Sequence, residues 1–282
     1  MDFKKAFDRV WHAALWATMR TYITPNIMAV IKSLYDKATS AVIQNNDIGD
    51  WFKTTIGVRQ GCLLSPTLFN TYLEKIMTDA LDDHVGTVSI GGRPVTNLRF
   101  ADDIDGLAGS EDELRELITK LEKISTAYGM EINAEKNKIM SNNEFESEVK
   151  AGGQSLEKVS SFKYLGSIIS DEGSKPEILA RIVQTTAALC KLRNIWQSKK
   201  IALYSKIRLM RFLAMAVFMY GCETWTLTAE LQRRIRALEM RCFRKILNIS
   251  YKDRVSNEAV REKQQMSLAL MKICSAQLEA QN

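Results

Sequence analysis

The sequence has few of the residues that build several common kinds of site. Its 282 residues include two histidines, His12 and His84, which argues against a histidine-based catalytic triad or a histidine-rich metal centre. The five cysteines are widely scattered without a Cys-x-x-Cys pair, so we expect a reducing compartment and no structural zinc. Proline and glycine are few, at four and 14 residues, and 46% of the chain is hydrophobic, which is the composition of a globular protein.

Long hydrophobic runs are missing as well. The N-terminus has no apolar signal segment, and the longest apolar run, residues 212–222, is well short of the ~20 residues that a membrane-spanning helix needs. We therefore expect an intracellular protein, in the cytoplasm, the nucleus or both, that is not secreted and makes no membrane contact.

Charge is unevenly distributed along the chain. Residues 1–150 contain 17 Lys and Arg against 22 Asp and Glu, whereas residues 151–282 contain 22 against 11. An acidic half that can hold cations, followed by a basic half, favours a nucleic-acid enzyme. The alternative is that each charged run is only a solvated surface.

Hydrophobic periodicity predicts an α+β protein whose character changes near Asp171. Before this residue, short apolar runs separated by Gly-Gly and Asn-rich turns indicate hairpins. After it come four helical patterns, over about 175–195, 200–221, 228–248 and 256–278. The third pattern combines an apolar stripe with an arginine-rich surface; the stripe consists of Leu231, Ile235, Leu238, Cys242 and Ile246.

Two adjacent carboxylates, Asp102 and Asp103, lie between short apolar runs that have the pattern of strands. This places the pair at the tip of a tight hairpin. Neighbouring like charges are costly unless something neutralises them, and a divalent cation would do so. Oxygen ligands without thiol or imidazole nearby favour Mg²⁺ or Mn²⁺. An Asp-Asp pair alone is a weak signal, because most such pairs are solvated turn residues.

Further motifs accompany this pair in a fixed order. They are Asp2 followed by Phe7, Arg59-Gln60-Gly61 with Ser65-Pro66, Phe100-Ala101-Asp102-Asp103, Gly129 with Lys136, and Tyr164-Leu165-Gly166. In this order and spacing they resemble the palm motifs of reverse transcriptases, above all those of the non-LTR (LINE-type) retrotransposons. The segment Tyr220-Gly221-Cys222-Glu223-Thr224-Trp225 also resembles the region after the palm in such elements.

The resemblance implies a reverse-transcriptase-like palm with an antiparallel sheet over residues 1–171 and an all-helical, basic thumb over 172–282. It implies an RNA-directed DNA polymerase that works by two-metal nucleotidyl transfer on an RNA template, a DNA primer and dNTPs; no obligate protein partner is evident. Asp2, Asp102 and Asp103 would hold two Mg²⁺ ions, for which Mn²⁺ is a substitute. Lys136 would protonate or stabilise the leaving pyrophosphate.

The resemblance also implies residues that contact the substrates. Phe7 would lie under the incoming sugar and reject a 2′-hydroxyl, while Phe100, Gln60 and Gly61 would line the nucleotide pocket. Contacts with the primer and the duplex phosphates would come from Tyr164, Leu165, Gly166, Arg233, Arg234 and Arg241.

Simpler interpretations stay open for several of these residues. Core packing would also explain Phe7 and Tyr164, and we expect it of Phe100 in addition to any contact with substrate. Backbone hydrogen bonds in a loop would explain Gln60. Lys138 competes with Lys136 for the catalytic role, because the two lysines are close in sequence.

The start of the chain leads to a further expectation. The sequence begins inside a motif, so we expect neither the fingers region that precedes Asp2 in the family nor the strand that carries Asp2 into the sheet. Asp2 would then either fray as a terminal residue or form a metal ligand, and the sequence favours neither. We expect the isolated chain to extend a primer poorly. The alternative function is a noncatalytic remnant that binds RNA or DNA; an intron-maturase-type reverse transcriptase is less favoured.

Overall fold

The computed structural model describes residues 1–141 and 148–262, which form parts of two compact units. The first unit is Met1–Val159 and the second begins at Ser160. Each unit has its own hydrophobic core. Among the described residues, every helix is too short or too polar to cross a membrane.

The first unit combines helices with short strands. Its helices are α1 (His12–Met19), α2 (Pro25–Asp36), α3 (Ser65–Leu81) and α4 (Glu111–Ala127), with a 3₁₀ turn at Ala6–Arg9. Its strands are β1 (Thr39–Ser40), β2 (Ile43–Gln44), β3 (Asp47–Ile48), β4 (Phe52–Lys53), β5 (Ser89–Ile90), β6 (Arg93–Pro94), β7 (Asn97–Phe100), β8 (Asp103–Gly106), β9 (Lys138–Ile139), β10 (Lys150–Ala151), β11 (Gln154–Ser155) and β12 (Glu157–Lys158).

These strands pair two by two. The pairs β1–β4, β2–β3, β5–β6, β7–β8 and β10–β11 are antiparallel, and β9–β12 is parallel. The mixture of helices with small, mostly antiparallel sheets confirms the α+β class. We expected one antiparallel palm sheet, whereas the described strands form separate two-stranded pairs.

Helix α3 forms the middle of the first core and packs against α1 and α4. Its side chains Phe69, Tyr72 and Ile76 are fully buried, as is Leu117 of α4. Full burial of such side chains stabilises a fold by roughly 1.5–3 kcal/mol each. Ile104 of β8 belongs to the same core, so the strand that begins at Asp103 is attached to that core.

The second unit begins with a hairpin of β13 (Ser161–Tyr164) and β14 (Ser167–Ser170) and continues in helices. The helices are α5 (Lys175–Lys191), α6 (Arg193–Gln197), α7 (Leu203–Leu209), α8 (Ala216–Met219), α9 (Ala229–Leu247) and α10 (Asn257–Glu262); a π-helical stretch, Met210–Met215, joins α7 to α8.

The helical part of this unit agrees with the sequence pattern. The predicted apolar stripe of α9, from Leu231 to Ile246, is buried as expected. The fourth predicted helix begins as α10, and its remaining residues lie outside the described part of the chain. The boundary between the units falls at residues 159/160, before the hairpin, so Tyr164 to Gly166 belong to the same unit as the helices. The identity of the two units as palm and thumb stays a prediction.

Candidate active site

The Asp pair lies at the tip of the β7–β8 hairpin. Phe100 pairs with Asp103 in the strand register, which leaves Ala101 and Asp102 as a two-residue turn. Ala101 has a φ of +54°, a conformation that costs a residue with a Cβ roughly 1–2 kcal/mol. Strained backbone of this kind is concentrated at functional sites. The prediction that the Asp pair occupies a hairpin tip is confirmed.

The backbone of Asp2 is held on both sides, so the alternative in which this residue frays is wrong. The amide of Asn133 donates to the carbonyl of Asp2 over 2.9 Å, and the amide of Asp2 donates to Oδ1 of Asn137 over 2.5 Å. On the other side, the amide of Ile104 donates to the carbonyl of Met1 over 3.1 Å. The segment therefore lies between β8 and the loop at 131–137, and hydrogen bonds to both hold it there.

Asn137 was not among the site residues predicted from the sequence. Its side chain is buried and its Oδ1 holds the Asp2 amide, 135 positions away in the sequence. An asparagine in a lysine-rich loop gives no signal of such a contact, because the partner is remote.

Lys136 is directed at the carboxylates and Lys138 is not. Nζ of Lys136 lies 3.0 Å from Oδ2 of Asp2, whereas Lys138 forms an ion pair with Glu157. The hydrogen bond that Lys136 donates to Asp2 raises the pKa of Lys136, and the charges of Asp2, Asp102 and Asp103 add to this effect. The structure therefore favours Lys136 over Lys138 as the lysine of the site.

The three aspartates share one electrostatic environment. Desolvation raises the pKa of Asp103, the negative charges of Asp102 and Asp2 raise it further, and Lys136 opposes this shift. Such repulsion is the condition under which carboxylates take up a cation. The donors are hard oxygens, which fits Mg²⁺ or Mn²⁺. In the described part of the chain, no group of three or more His, Cys, Asp or Glu side chains is placed to hold a metal ion.

Three of the four predicted nucleotide-contact residues, Phe7, Gln60 and Gly61, lie on two neighbouring segments. Phe7, in the 3₁₀ turn after Asp2, is half-buried and stacks on Phe69 of α3 with ring centroids 4.4 Å apart. The backbone carbonyl of Phe7 accepts a hydrogen bond from Val58, just before the second segment. There Nε2 of Gln60 donates to Asp8 over 3.2 Å, and Gly61 has a φ of +84° with open space where a Cβ would be.

Phe100 differs from one expectation. Its side chain is 65% exposed, so the core role expected of it is wrong. The residue stands at the end of β7, next to the turn that carries Asp102, and its register partner is Asp103. An exposed ring beside the candidate catalytic pair is compatible with a contact to substrate.

The second unit carries a basic groove between α9 and α10. The groove has a volume of ≈ 640 Å³ and an apolar floor that includes Ala237 and Met240. Its cationic side chains are Arg233, Arg236, Arg241, Arg244, Lys245 and Arg261.

Two of the three arginines predicted to contact nucleic acid, Arg233 and Arg241, line this basic groove. Arg234 does not line it and instead forms an ion pair of 2.7 Å with Glu230 one turn earlier. Arg244 is held by the carbonyl of Val255 and by Asn257, so its guanidinium is already oriented. Arg261 was not predicted as a binding residue. It lies on α10, and sequence periodicity does not show that α10 packs against α9.

Comparison with known proteins agrees with these features. The family model for reverse transcriptase (RNA-dependent DNA polymerase) matches residues 1–169. The RNA-directed DNA polymerase from the mobile element jockey of Drosophila melanogaster is 24% identical over 264 residues, which are 87% of this chain and 28% of that protein. A retrovirus-related Pol polyprotein from the type-1 retrotransposable element R2 of Popillia japonica is 23% identical over 89% of this chain and 42% of its own length. A transposon-derived protein of Caenorhabditis elegans is 30% identical over 61% of this chain and 64% of its own length.

The extent of these matches decides what they show. The chain spans 28% of the length of the jockey polymerase, so the comparison covers a limited part of that protein. The family model, in contrast, covers more than half of this chain and includes Asp2, Asp102, Asp103 and Lys136. This chain belongs to the reverse transcriptase family, and its relatives are those of non-LTR, LINE-type mobile elements.

Proposed function

We propose that this chain carries the polymerase centre of an RNA-directed DNA polymerase, with an RNA template, a DNA primer and dNTPs as substrates. The observation that carries the proposal is that the Met1–Asp2 segment is hydrogen-bonded to Ile104, next to Asp103, while Nζ of Lys136 lies 3.0 Å from Oδ2 of Asp2. In this proposal residues 1–171 act as a palm and 172–282 as a thumb. An intracellular location stays a prediction.

The carboxylates and the lysine have different tasks in the proposed reaction. Asp2, Asp102 and Asp103 would hold two Mg²⁺ ions, which when bound supply activation of the primer 3′-hydroxyl and charge neutralisation on the triphosphate. Lys136, released from Asp2, would donate a proton or a hydrogen bond to the leaving pyrophosphate. Its pKa is raised from the ordinary value of 10.5, so the side chain is an ammonium at neutral pH.

Sugar discrimination is assigned to Phe7. Stacking on Phe69 restricts the ring, since Phe69 is fully buried in α3. A restricted ring cannot move aside for a 2′-hydroxyl, and this favours a deoxynucleotide. Gly61 leaves room for the base pair, and Gln60 and Phe100 complete the proposed pocket.

The basic groove is assigned to the nucleic-acid backbone. Six cations around one depression attract phosphates irrespective of sequence. This is also the observation that favours the second candidate function, a remnant that binds RNA or DNA without synthesis.

Primer extension separates the two functions. The 282-residue chain would be assayed alone and behind the segment that precedes the matching region in the jockey polymerase, with an RNA template and a labelled DNA primer. We expect poor extension by the chain alone and RNA-templated synthesis by the fusion.

Two aspartate variants of the fusion identify the site. We expect Asp102→Asn to abolish synthesis and Asp50→Asn, at an exposed loop position, to retain it. Binding of the hybrid without any extension would establish the remnant instead. Extension that persists in Asp102→Asn would overturn the assignment of the centre.

A further inference from the structure

The tip of the β13–β14 hairpin has an unusual backbone. Leu165 and Gly166 are its two turn residues, with φ values of +46° and +85°. Two successive residues at positive φ match the right-handed twist of the strands, as in the tight turns that favour Asn-Gly. Leucine is a poor residue for this conformation, because its Cβ crowds the following carbonyl. A strained turn of this kind persists when the surrounding structure holds it in place.

A buried ion pair on α5 holds the carbonyl side of the turn. Glu177 and Arg181 are almost completely buried, and Nε of Arg181 lies 2.6 Å from Oε1 of Glu177. The same guanidinium donates from its second terminal nitrogen to the carbonyl of Gly166 over 2.7 Å. The other carboxylate oxygen of Glu177 accepts from the amide of Ile168 over 2.8 Å. One ion pair therefore fixes both a carbonyl of the turn and an amide of β14.

The segment after α8 also contacts the turn. Tyr220 donates its hydroxyl to the carbonyl of Leu165, and its ring lies under the Arg181 guanidinium at 4.6 Å. At Gly221, which has a φ of +73°, a Cβ would stand 2.7 Å from Oγ of Ser167. Tyr220 and Gly221 are thus both packed onto this hairpin.

We propose that Glu177, Arg181, Tyr220 and Gly221 form a hairpin clamp whose task is to present Leu165 and Gly166 to the primer strand. The clamp residues are positioning residues, since they act through the turn and touch no substrate themselves. The inference rests on the proposed function, which assigns primer contact to Tyr164, Leu165 and Gly166.

The buried ion pair and its hydrogen bonds to the hairpin support a positioning role. A hairpin with a two-residue turn needs no buried charges to close, and an Asn-Gly sequence would form the same turn without strain. A buried ion pair, in contrast, is weak as a source of stability and strong as a device that fixes geometry when every oxygen and nitrogen is paired. Here it fixes two exposed residues, Leu165 and Gly166, at the end of a hairpin.

The test uses the full chain and a hybrid of RNA template and DNA primer that carries 4-thiothymidine at the primer 3′ end. The yield of photo-crosslink to residues 161–170 is measured by mass spectrometry at saturating protein, and the affinity for the hybrid is measured separately. The variants are Tyr220→Phe, which keeps the ring and removes the hydroxyl, Arg181→Lys and Arg181→Gln. Glu116→Gln is the matched control, because it removes an exposed pair of the same i,i+4 spacing with Lys120.

We expect the wild type and Glu116→Gln to give the same crosslink. Arg181→Gln should reduce its yield about tenfold and Tyr220→Phe about fivefold, since each loses a hydrogen bond to the turn. The affinity for the hybrid, which depends on many phosphates, should change by less than about twofold. Arg181→Lys should recover part of the yield. Faster amide exchange confined to residues 165–168 should accompany each loss.

The outcomes separate the clamp from the function on which it rests. A wild type that does not bind the hybrid overturns the proposed function and the clamp with it. Binding with equal crosslink yields in wild type, Tyr220→Phe and Arg181→Lys overturns the clamp alone. If Arg181→Gln fails to fold by circular dichroism, the comparison of Tyr220→Phe with Glu116→Gln decides the question.

Discussion

Nζ of Lys136 lies 3.0 Å from Oδ2 of Asp2, although the two residues are 134 positions apart in the sequence. The lysine side chain is 68% exposed and the aspartate 24%, so the pair is open to water on the lysine side. Exposed ion pairs contribute little to stability, because water solvates both partners well. Lys136 can therefore break its ion pair with Asp2 at a low cost in free energy. The proposed reaction requires this, because Lys136 has to contact a phosphate instead.

Replacement of Lys136 should affect activity far more than folding. We expect Lys136→Ala to leave the melting temperature unchanged and to lower nucleotide incorporation by about 100-fold, the typical effect of removing a general acid. Lys138→Ala is the matched control, since Lys138 pairs with Glu157 away from the aspartates. The measurement is single-nucleotide addition by the fusion with the jockey segment. Equal losses in the two variants would contradict the assignment.

Glu113 should make the stability of the first unit depend on pH. Its carboxylate accepts hydrogen bonds from the hydroxyl and the amide of Thr87 and from the amide of Gly109. The Thr87 hydroxyl is the largest cause that holds the pKa of Glu113 below its ordinary value of 4.5. A depressed folded-state pKa means that the stabilisation is present above pH 4.5 and is lost as the pH falls through the folded value.

The test is urea unfolding of Glu113→Gln. At neutral pH we expect a loss of about 1–3 kcal/mol, because hydrogen bonds to a charged acceptor are replaced by weaker ones. The difference from wild type should shrink well below pH 4.5, where the wild-type carboxyl is also neutral. A difference that stays constant over this range would show that the charge of Glu113 is irrelevant.

The basic groove should bind nucleic acid with a strong salt dependence. Each neutralised phosphate contributes about 0.9 to the slope of log K against log salt on B-form DNA. We expect Arg241→Ala to reduce the slope by about one contact, and Arg234→Ala to change it less, because Arg234 pairs with Glu230 outside the groove. Fluorescence anisotropy over a salt series measures both. If Arg234→Ala has the larger effect, the groove is not the binding surface.

Gly221 should be required for both its backbone and its contact with the hairpin. Gly221→Ala introduces a Cβ at φ +73° and 2.7 Å from Oγ of Ser167, so we expect a loss of about 2 kcal/mol or more. Gly153→Ala is the control, since Gly153 has nearly the same φ, +74°, with open space around it. It should show the backbone cost alone, about 1 kcal/mol. Equal losses in thermal unfolding would mean that the contact with Ser167 relaxes freely.

Local features of the fold could be predicted from the sequence. The predictions of the hairpin tip with Asp102 and of the apolar stripe of α9 were correct, because strand alternation, turn chemistry and helical spacing act over a few residues. The sequence Ser110-Glu111-Asp112-Glu113 has the pattern of a capping box, and Ser110 caps α4 by accepting a hydrogen bond from the Glu113 amide. The Glu113 carboxylate, in contrast, reaches Gly109 and Thr87, which a capping box does not predict.

Features that depend on remote contacts could not be predicted. Nothing near Asp2 in the sequence indicates that Asn137 and Ile104 hold its segment, and the alternative of a frayed residue came from local reasoning alone. The choice between Lys136 and Lys138 likewise required the positions of Asp2 and Glu157. The order of the motifs thus indicates the candidate site residues, whereas the tertiary structure sets their positions relative to one another.

The central claim is that Asp2, Asp102 and Asp103 form one cation site, and Mn²⁺ binding measured by electron paramagnetic resonance tests it most directly. We predict weak Mn²⁺ binding by the wild-type chain and by Asp50→Asn, an exposed control. Asp102→Asn and Asp2→Asn should each lose most of this binding, since either change removes a carboxylate from the site. Equal Mn²⁺ binding by wild type and Asp102→Asn would contradict the claim.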